Sequence, residues 1–462
     1  MRAARAVSPP PSLSPLKVVG GPGGPLFLST HSQIKAAIAP GLAPGDDAVA
    51  ALGALSASAL GGGNPPPPCE AAGAPPPSNP LVTAANSVWA RPPLAFTPPF
   101  LTRAAALDAA AHPLTTAAAI NAWCAGATAG RIKEIVDEGA CAAAVAILAN
   151  ALYFKGAWAT PFNRRASGPG PFYAGPRTSA GAGDGDPDAG RPLLAEGVHF
   201  MGRAADKAAR LLTAPGACTA LRLAYGGGGG GGGGEGAAGP YEAVIILQED
   251  GVGVGDALAA VEAGYEAEAA EQEAGVPTTT TTATLGEEAG PPAPTPASPA
   301  WRRPLAGVNI RLPAFTVDAG VALGPALQAL GVTAAFSPAA DFSAMLAVDG
   351  GAGGGGGAQP IPVATSIADV LHRVWIATDE EGTEAAAATA VVMVRSMLAA
   401  PELFHADRPF LFGVRHGPSG AWLFLGRVGT PAVWKGGVDG GGAGAAVEGS
   451  SAGCSGPGLA VR

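Results

Sequence analysis

The sequence predicts an α+β protein with large antiparallel or mixed sheets. Three observations carry this. Short apolar segments of strand character recur along the 462-residue chain and alternate with helix-like segments. Stretches rich in Gly, Pro, Ser and Thr fall between them without dividing the chain into two self-sufficient blocks. Near the C-terminus, two apolar runs flank His416-Gly417-Pro418-Ser419-Gly420, the pattern of a β-hairpin.

In chain order, "INAWCAGATAGRIKEIVDEG" (120–139) predicts a helix with a break near Gly130. Ile120, Trp123, Ile132, Ile135 and Val136 supply its apolar contacts. "AVAILANALYFKGAW" (144–158) begins as a nearly unbroken apolar run, which predicts a strand buried on both faces and ending at a Lys-Gly turn. "EAVIILQED" (242–250) is a further strand, and "VNIRLPAFTVD" (308–318) alternates as a strand does. "GVALGPALQALG" (320–331) predicts a short helix closed by glycine. "LHRVWIATDEE" (371–381) alternates again, and 409–428 forms the hairpin.

Low-complexity insertions occupy 61–80, 179–190, 226–239, 278–299 and 350–360. The chain carries 70 Gly and 46 Pro, about a quarter of its length. Such stretches bury too little apolar area to offset chain entropy, so they are expected as flexible surface loops. Residues 1–24 are expected to be a disordered or targeting segment, 25–435 one domain, and 436–462 a disordered Gly-rich tail.

With 27 Lys and Arg against 36 Asp and Glu, the net charge is −9. That argues against nucleic acid as a main partner, because phosphate binding needs a basic footprint. Apolar runs stay short of the roughly 18 residues of a membrane span, so no membrane partner is expected. The five cysteines are scattered without C-x-x-C spacing, which points to free thiols in a reducing compartment and to no metal site. The N-terminus lacks the apolar core of a secretory signal; its Arg- and Ser-containing start, with Asp46 as first acid, is compatible with an organelle transit peptide. An intracellular, cytoplasmic monomer is the expectation, with organelle transit or secretion left open. No nucleophile–base pair or phosphate loop suggests an enzyme, and no cofactor is expected.

Three blocks together resemble the serpin family. "NALYFKGAWATPF" (150–162) is similar to its strand signature, "EEGTEAAAATA" (380–390) to the hinge of its reactive-centre loop, and "FHADRPFLFGVRHGPSGAWLFLGRVGTP" (404–431) to its C-terminal signature. Weaker echoes, "AANSVWA", "INAWCAGATAGRIKEIV", "VHFMGR" and "LGVTAAFSPAADFSAM", lie between them in the family's order. The all-alanine hinge and the "ADxPFLF" wording look like plant-type members. The resemblance implies a large central mixed sheet, two smaller sheets, about eight to nine helices and an exposed reactive-centre loop that inserts into the large sheet.

It also implies function: a serine-type endopeptidase inhibitor acting as an irreversible suicide substrate. The loop is bait; after acylation it inserts as a central strand and distorts the protease. Trypsin-like serine proteases or Arg-specific cysteine proteases are the implied partners. The alternative is a non-inhibitory serpin serving as a binding, storage or chaperone module, whose usual sign is a bulky, charged or proline-containing hinge. The hinge residues here are Glu380, Glu381, Gly382, Thr383, Glu384, Ala385, Ala386, Ala387, Ala388 and Thr389.

Strand parity suits them to insertion. Thr383, Ala385, Ala387, Thr389, Val391 and Met393 share one face, all uncharged and small at the leading end; Glu384 falls on the other. A strand over 383–396 spans roughly 45 Å at about 3.3 Å per residue. A dozen new hydrogen bonds at about 0.5–1.5 kcal/mol each would release something like 10 kcal/mol. Family spacing counted from Gly382 places the scissile bond after Ser396; a loop one residue shorter places it after Arg395. Arg395 is the favoured bait, because a buried carboxylate in a trypsin-like pocket pairs with Arg. Ser396 comes next, then Met393 or Met397.

By the same resemblance, His372, Asn150 and Ser32 form the shutter where strands part, and Trp158 the breach where the loop enters. Two departures stand out. Ala314 occupies the place of a family lysine that pairs with the hinge glutamate, here Glu380, so that pair is expected to be absent. "STHS" replaces the "SPxS" wording near Ser32, and only 25 Pro- and Gly-rich residues precede "LFLSTHSQIKAAI", leaving the family's first helix without a match.

Overall fold

The alternating apolar segments do become strands. The computed structural model describes residues 81–175, 191–226, 238–273, 300–348 apart from 330, 339 and 343, 366–367, 370–380, 382–383 and 400–431. Seventeen strands follow in order: β1 (Leu81–Ala90), β2 (Leu94–Phe96), β3 (Ala109–Pro113), β4 (Ala146–Ala157), β5 (Gly168–Tyr173), β6 (Leu193–Asp206), β7 (Arg210–Ala214), β8 (Cys218–Gly226), β9 (Ala238–Gln248), β10 (Val308–Pro313), β11 (Phe315–Ala322), β12 (Leu346–Val348), β13 (Val370–Thr378), β14 (Gly382–Thr383), β15 (Glu402–His405), β16 (Phe410–His416) and β17 (Trp422–Val428). The helices are α1 (Pro98–Ala105), α2 (Ala117–Ala127), α3 (Glu138–Ala143), α4 (Val254–Glu273) and α5 (Gly324–Ala329).

The largest sheet runs β11-β13-β4-β1-β3, with β14 added on β4. It is mixed: β13 lies parallel to β4 and β1 parallel to β3, while β11–β13, β1–β4 and β14–β4 are antiparallel. A five-stranded antiparallel sheet, β17-β16-β9-β8-β7, packs behind its upper end. A four-stranded sheet, β15-β10-β6-β5, caps that end, and β12 pairs with β2. The chain is therefore α+β, around a large mixed sheet with smaller ones. The five α-helices are those of the described residues; of the five insertions, only Gly226, Ala238 and Gly239 fall among them.

The main core joins the upper half of the large sheet to the five-stranded sheet. Phe154, Phe162, Tyr225, Phe315, Phe410, Phe412 and Phe424 meet there, all buried. Each such side chain contributes about 1.5–3 kcal/mol by leaving water. On the opposite face of the large sheet, Trp89, Ile147 and Ala149 pack against Ile120 of α2 and Cys141 of α3. The side chain of Thr116 caps α2 by accepting from the Ala119 N–H (3.2 Å), and Asp137 caps α3 by accepting from that of Ala140 (2.7 Å). Burial pushes the Cys124 thiol up to about 12 and that of Cys218 up to about 11, so both stay protonated inside the protein. No helix among the described residues is long and apolar enough to cross a membrane.

Several sequence expectations need correction. The helix expected over 120–139 ends at Ala127, because Ala129 and Gly130 take positive φ (50° and 75°). The Asn121 side chain then holds the non-helical segment beyond, accepting from the Ile135 and Val136 N–H groups and donating to the Val136 carbonyl. β4 is not buried on both faces: Ile147, Ala149, Ala151 and Tyr153 are buried, whereas Leu148, Asn150 and Leu152 are half-buried. It also runs through Lys155 and Gly156 to Ala157 instead of turning there. The expected strand over 308–318 is two strands in different sheets, broken at Ala314. The helix expected over 320–331 is confined to α5, since β11 extends through Ala322.

Candidate functional site

The parallel pairing of β13 with β4 stops short. It runs from Val370–Leu148 to Trp375–Tyr153, although β13 continues to Thr378 beside β11 and β4 continues to Ala157. Above Trp375 the two strands part. The chain leaving β13 reverses through Asp379 and Glu380 and returns as β14, antiparallel to β4, with Gly382 opposite Ala157 and Thr383 opposite Gly156. The slot is lined by the core: a Cβ at Gly156 would lie 3.0 Å from Phe154 and Tyr225 ring carbons. That is tighter than nearly all real Cβ contacts, so a side chain at 156 would press one of those rings aside by a few tenths of an ångström.

The bend at the mouth of this gap is tied to the segment that follows β4. The Trp158 indole N–H donates to the Asp379 carbonyl (2.9 Å), and the Phe162 N–H donates to the Glu380 carbonyl (2.7 Å). Trp158 is itself buried, stacked on Tyr225 with ring centroids 4.7 Å apart and planes 9° from parallel. The Glu380 carboxylate lies 2.6 Å from His199 Nε2 on β6. Burial would raise the carboxyl's pKa, but hydrogen bonds from His199, its own backbone and Ser167, with the His199 charge, bring it below the ordinary value. The expected lysine partner is indeed not at position 314, yet the glutamate is not alone. Ala314 donates its N–H to the His199 carbonyl (2.9 Å), so the histidine stands next to position 314.

Lower down, where β13 and β4 are still paired, three polar side chains sit side by side on neighbouring strands. His372 is in register with Asn150, and Asn150 with Asn86 of β1. The Asn150 Nδ2 donates to Asn86 Oδ1 (2.6 Å), and His372 Nδ1 lies 2.5 Å from Asn150 Oδ1. With Nδ1–H as donor, every contact in the row is satisfied by a neutral imidazole. Burial lowers the His372 pKa, which favours that neutral form. The row bridges the pair of strands that would have to separate if the sheet opened.

Of the residues singled out in the sequence, Asn150, Trp158, His372, Glu380, Gly382 and Thr383 are therefore gathered along one seam of the large sheet. Ser32, Glu381, Glu384, Ala385, Ala386, Ala387, Ala388, Thr389, Met393, Arg395, Ser396 and Met397 lie outside the described residues or have no described side chain. Sequence reasoning missed Asn86 and His199. Both fall in segments quoted for their wording, "AANSVWA" and "VHFMGR", but no spacing rule links position 86 to 150 or 199 to 380. At the C-terminal signature, Asp407 forms a buried ion pair with Arg191 (2.9 Å), anchoring the segment between β15 and β16.

Comparison with known proteins agrees with this geometry. The serpin (serine protease inhibitor) family model matches residues 29–181 and 294–431. A serpin-Z12 of Oryza sativa subsp. japonica is 32% identical over 362 residues, covering 76% of this chain and 72% of the relative. Leukocyte elastase inhibitor of Sus scrofa is 27% identical over 318 residues, covering 68% and 66% respectively. The chain spans just under two thirds of the length of its first curated relatives. Among solved structures, Arabidopsis AtSerpin1 in its native stressed conformation superposes with a TM-score of 0.57 at 22% identity, covering 87% of this chain and 86% of that one.

Proposed function

Because this chain belongs to the serpin family, we propose that it inhibits serine-type endopeptidases as an irreversible suicide substrate. The observation that carries this is the antiparallel seating of Gly382 and Thr383 on β4, in the gap where β4 and β13 part. An inserting strand between two parallel neighbours runs antiparallel to both, and β14 already has that direction and place.

The chemistry then follows. The protease serine attacks the carbonyl at the bait bond, the loop is severed there, and the N-terminal part remains esterified to the enzyme. Residues after Thr383 continue the track that β14 begins, pairing along β4 as the β13–β4 ladder opens from Trp375 downward. Their small uncharged face is presented to the core that Phe154 and Tyr225 line beside Gly156. The protease is carried along before water can release it. Arg395 is the favoured bait, with Ser396 the next choice, so trypsin-like serine proteases are the preferred targets and Arg-specific cysteine proteases the second class. Trp158, Asn150 and His372 tune the opening and supply no catalytic group.

The test is direct. Incubation with trypsin is expected to give a covalent complex that survives denaturant, together with a C-terminal peptide beginning at Ser396. Rapid nicking without complex would overturn the inhibitory reading, and a peptide beginning at Met397 would move the bait to Ser396.

A further inference from the structure

The Glu380 side chain is held by a titratable partner. Glu380 sits in the bend that turns β13 back toward β4, and its side chain is held by His199 Nε2 at 2.6 Å, with both groups largely covered (21% and 14% exposed). His199 belongs to β6, part of the four-stranded capping sheet. The contact therefore joins two sheets at the point where the loop turns in. Opening the β13–β4 ladder does not require it to break, since the ladder begins below, at Trp375–Tyr153. The bend it holds leads into β14, where Thr383 pairs opposite Gly156.

We propose that His199 is a positioning residue that latches the hinge through Glu380, and that protonation of its imidazole tightens the latch. With the imidazole protonated and Glu380 ionised, the contact is an ion pair. With the imidazole neutral, a single hydrogen bond remains. Below the carboxyl range, Glu380 is protonated and the ion pair is lost again. Other charged groups stand on the elements packed around the pair. They include Lys155 on β4, Asp379 on the bend, Arg164 and Arg165 before β5, Glu196, Arg203 and Asp206 on β6, Arg311 on β10 and His405 on β15. Arg203 is closed on Asp206 and lies over the Phe162 ring, and Arg311 lies over Phe200.

The latch matters for inhibition only if the loop is an inserting bait, so this inference rests on that reading; the measurements separate the two. The first is the ratio of trapped complex to nicked inhibitor with trypsin at pH 5.5 and pH 8, for the natural protein, His199→Gln, and His199→Ala combined with Ala314→Lys. Trypsin's own pH response is common to all three and cancels in the comparison. A half-buried ion pair is of the size that changes such a ratio about two- to fivefold. The natural protein is expected to gain that much trapping over His199→Gln at pH 5.5 and little at pH 8. The lysine variant is expected to match at both pH values. Equal ratios for natural protein and His199→Gln at both pH values would overturn the latch. The second measurement needs no protease: the thermal midpoint of the uncleaved protein minus that of His199→Gln. It is expected to be larger at pH 5.5 than at pH 8 by about 2 °C. If no complex forms at any pH, the inhibitory reading fails and this difference alone decides the latch; a difference that does not change with pH would overturn it.

Discussion

His372 and Asn150 show how a single contact couples protonation to the state of the sheet. The imidazole is half-buried between strands and its contact with Asn150 is satisfied when neutral. The unfolded chain takes up a proton below about pH 6.5, whereas burial makes the folded protein resist it. Stability from this group is thus complete above that pH and declines as pH falls toward the lowered folded value. The expected outcome is a thermal midpoint of the uncleaved protein that drops between pH 7 and pH 5, with the drop reduced in His372→Gln. An unchanged slope in that variant would remove His372 from the row's pH response. The direction is opposite to that expected of His199, because one histidine gains by staying neutral and the other by becoming charged.

Among the elements, β14 is only two residues long, yet its placement decides what the hinge is. Its partner Gly156 leaves a slot whose walls are Phe154 and Tyr225, 3.0 Å from where a Cβ would be. A guanidinium registered opposite Gly156 would stand beside closely packed aromatic rings, where burying a charge is costly. Thr383→Arg is therefore expected to turn the protein from inhibitor into substrate, seen as nicked product replacing complex on a denaturing gel. Unchanged complex yield would mean that insertion does not begin at 383. The hairpin β16–β17 and the strands β9 and β13 were legible because the signals there are local, turn residues and alternation, whereas the two hinge residues of β14 were legible only through the resemblance of 380–390 to the family's hinge. Other features were not local. The apolar positions change phase at Pro313–Ala314, from 308, 310 and 312 to 315 and 317, but a phase change alone does not show that β10 and β11 enter different sheets. A nearly unbroken apolar run such as 146–152, interrupted only by Asn150, carries too little period to show that Leu148 and Leu152 face a half-covered side. His199 meets Glu380 across 181 positions, and only the meeting of two sheets brings them together.

For the whole molecule, the seam between β4 and β13 divides it into a part already opened and a part still closed. Above Trp375, β14 occupies the gap; below it, six paired residues on each strand and the His372–Asn150–Asn86 row keep the sheet shut. On the proposed insertion mechanism, this half-open arrangement stores free energy that full insertion releases, of the order of 10 kcal/mol if a dozen backbone hydrogen bonds form. The measurement that decides this is the thermal midpoint before and after the loop is cut once near Arg395. Stored energy predicts that the nicked protein melts higher, by about 20 °C or more. A nicked protein that melts at the same temperature as the intact one, or lower, would mean that nothing is stored and that the loop is not a spring.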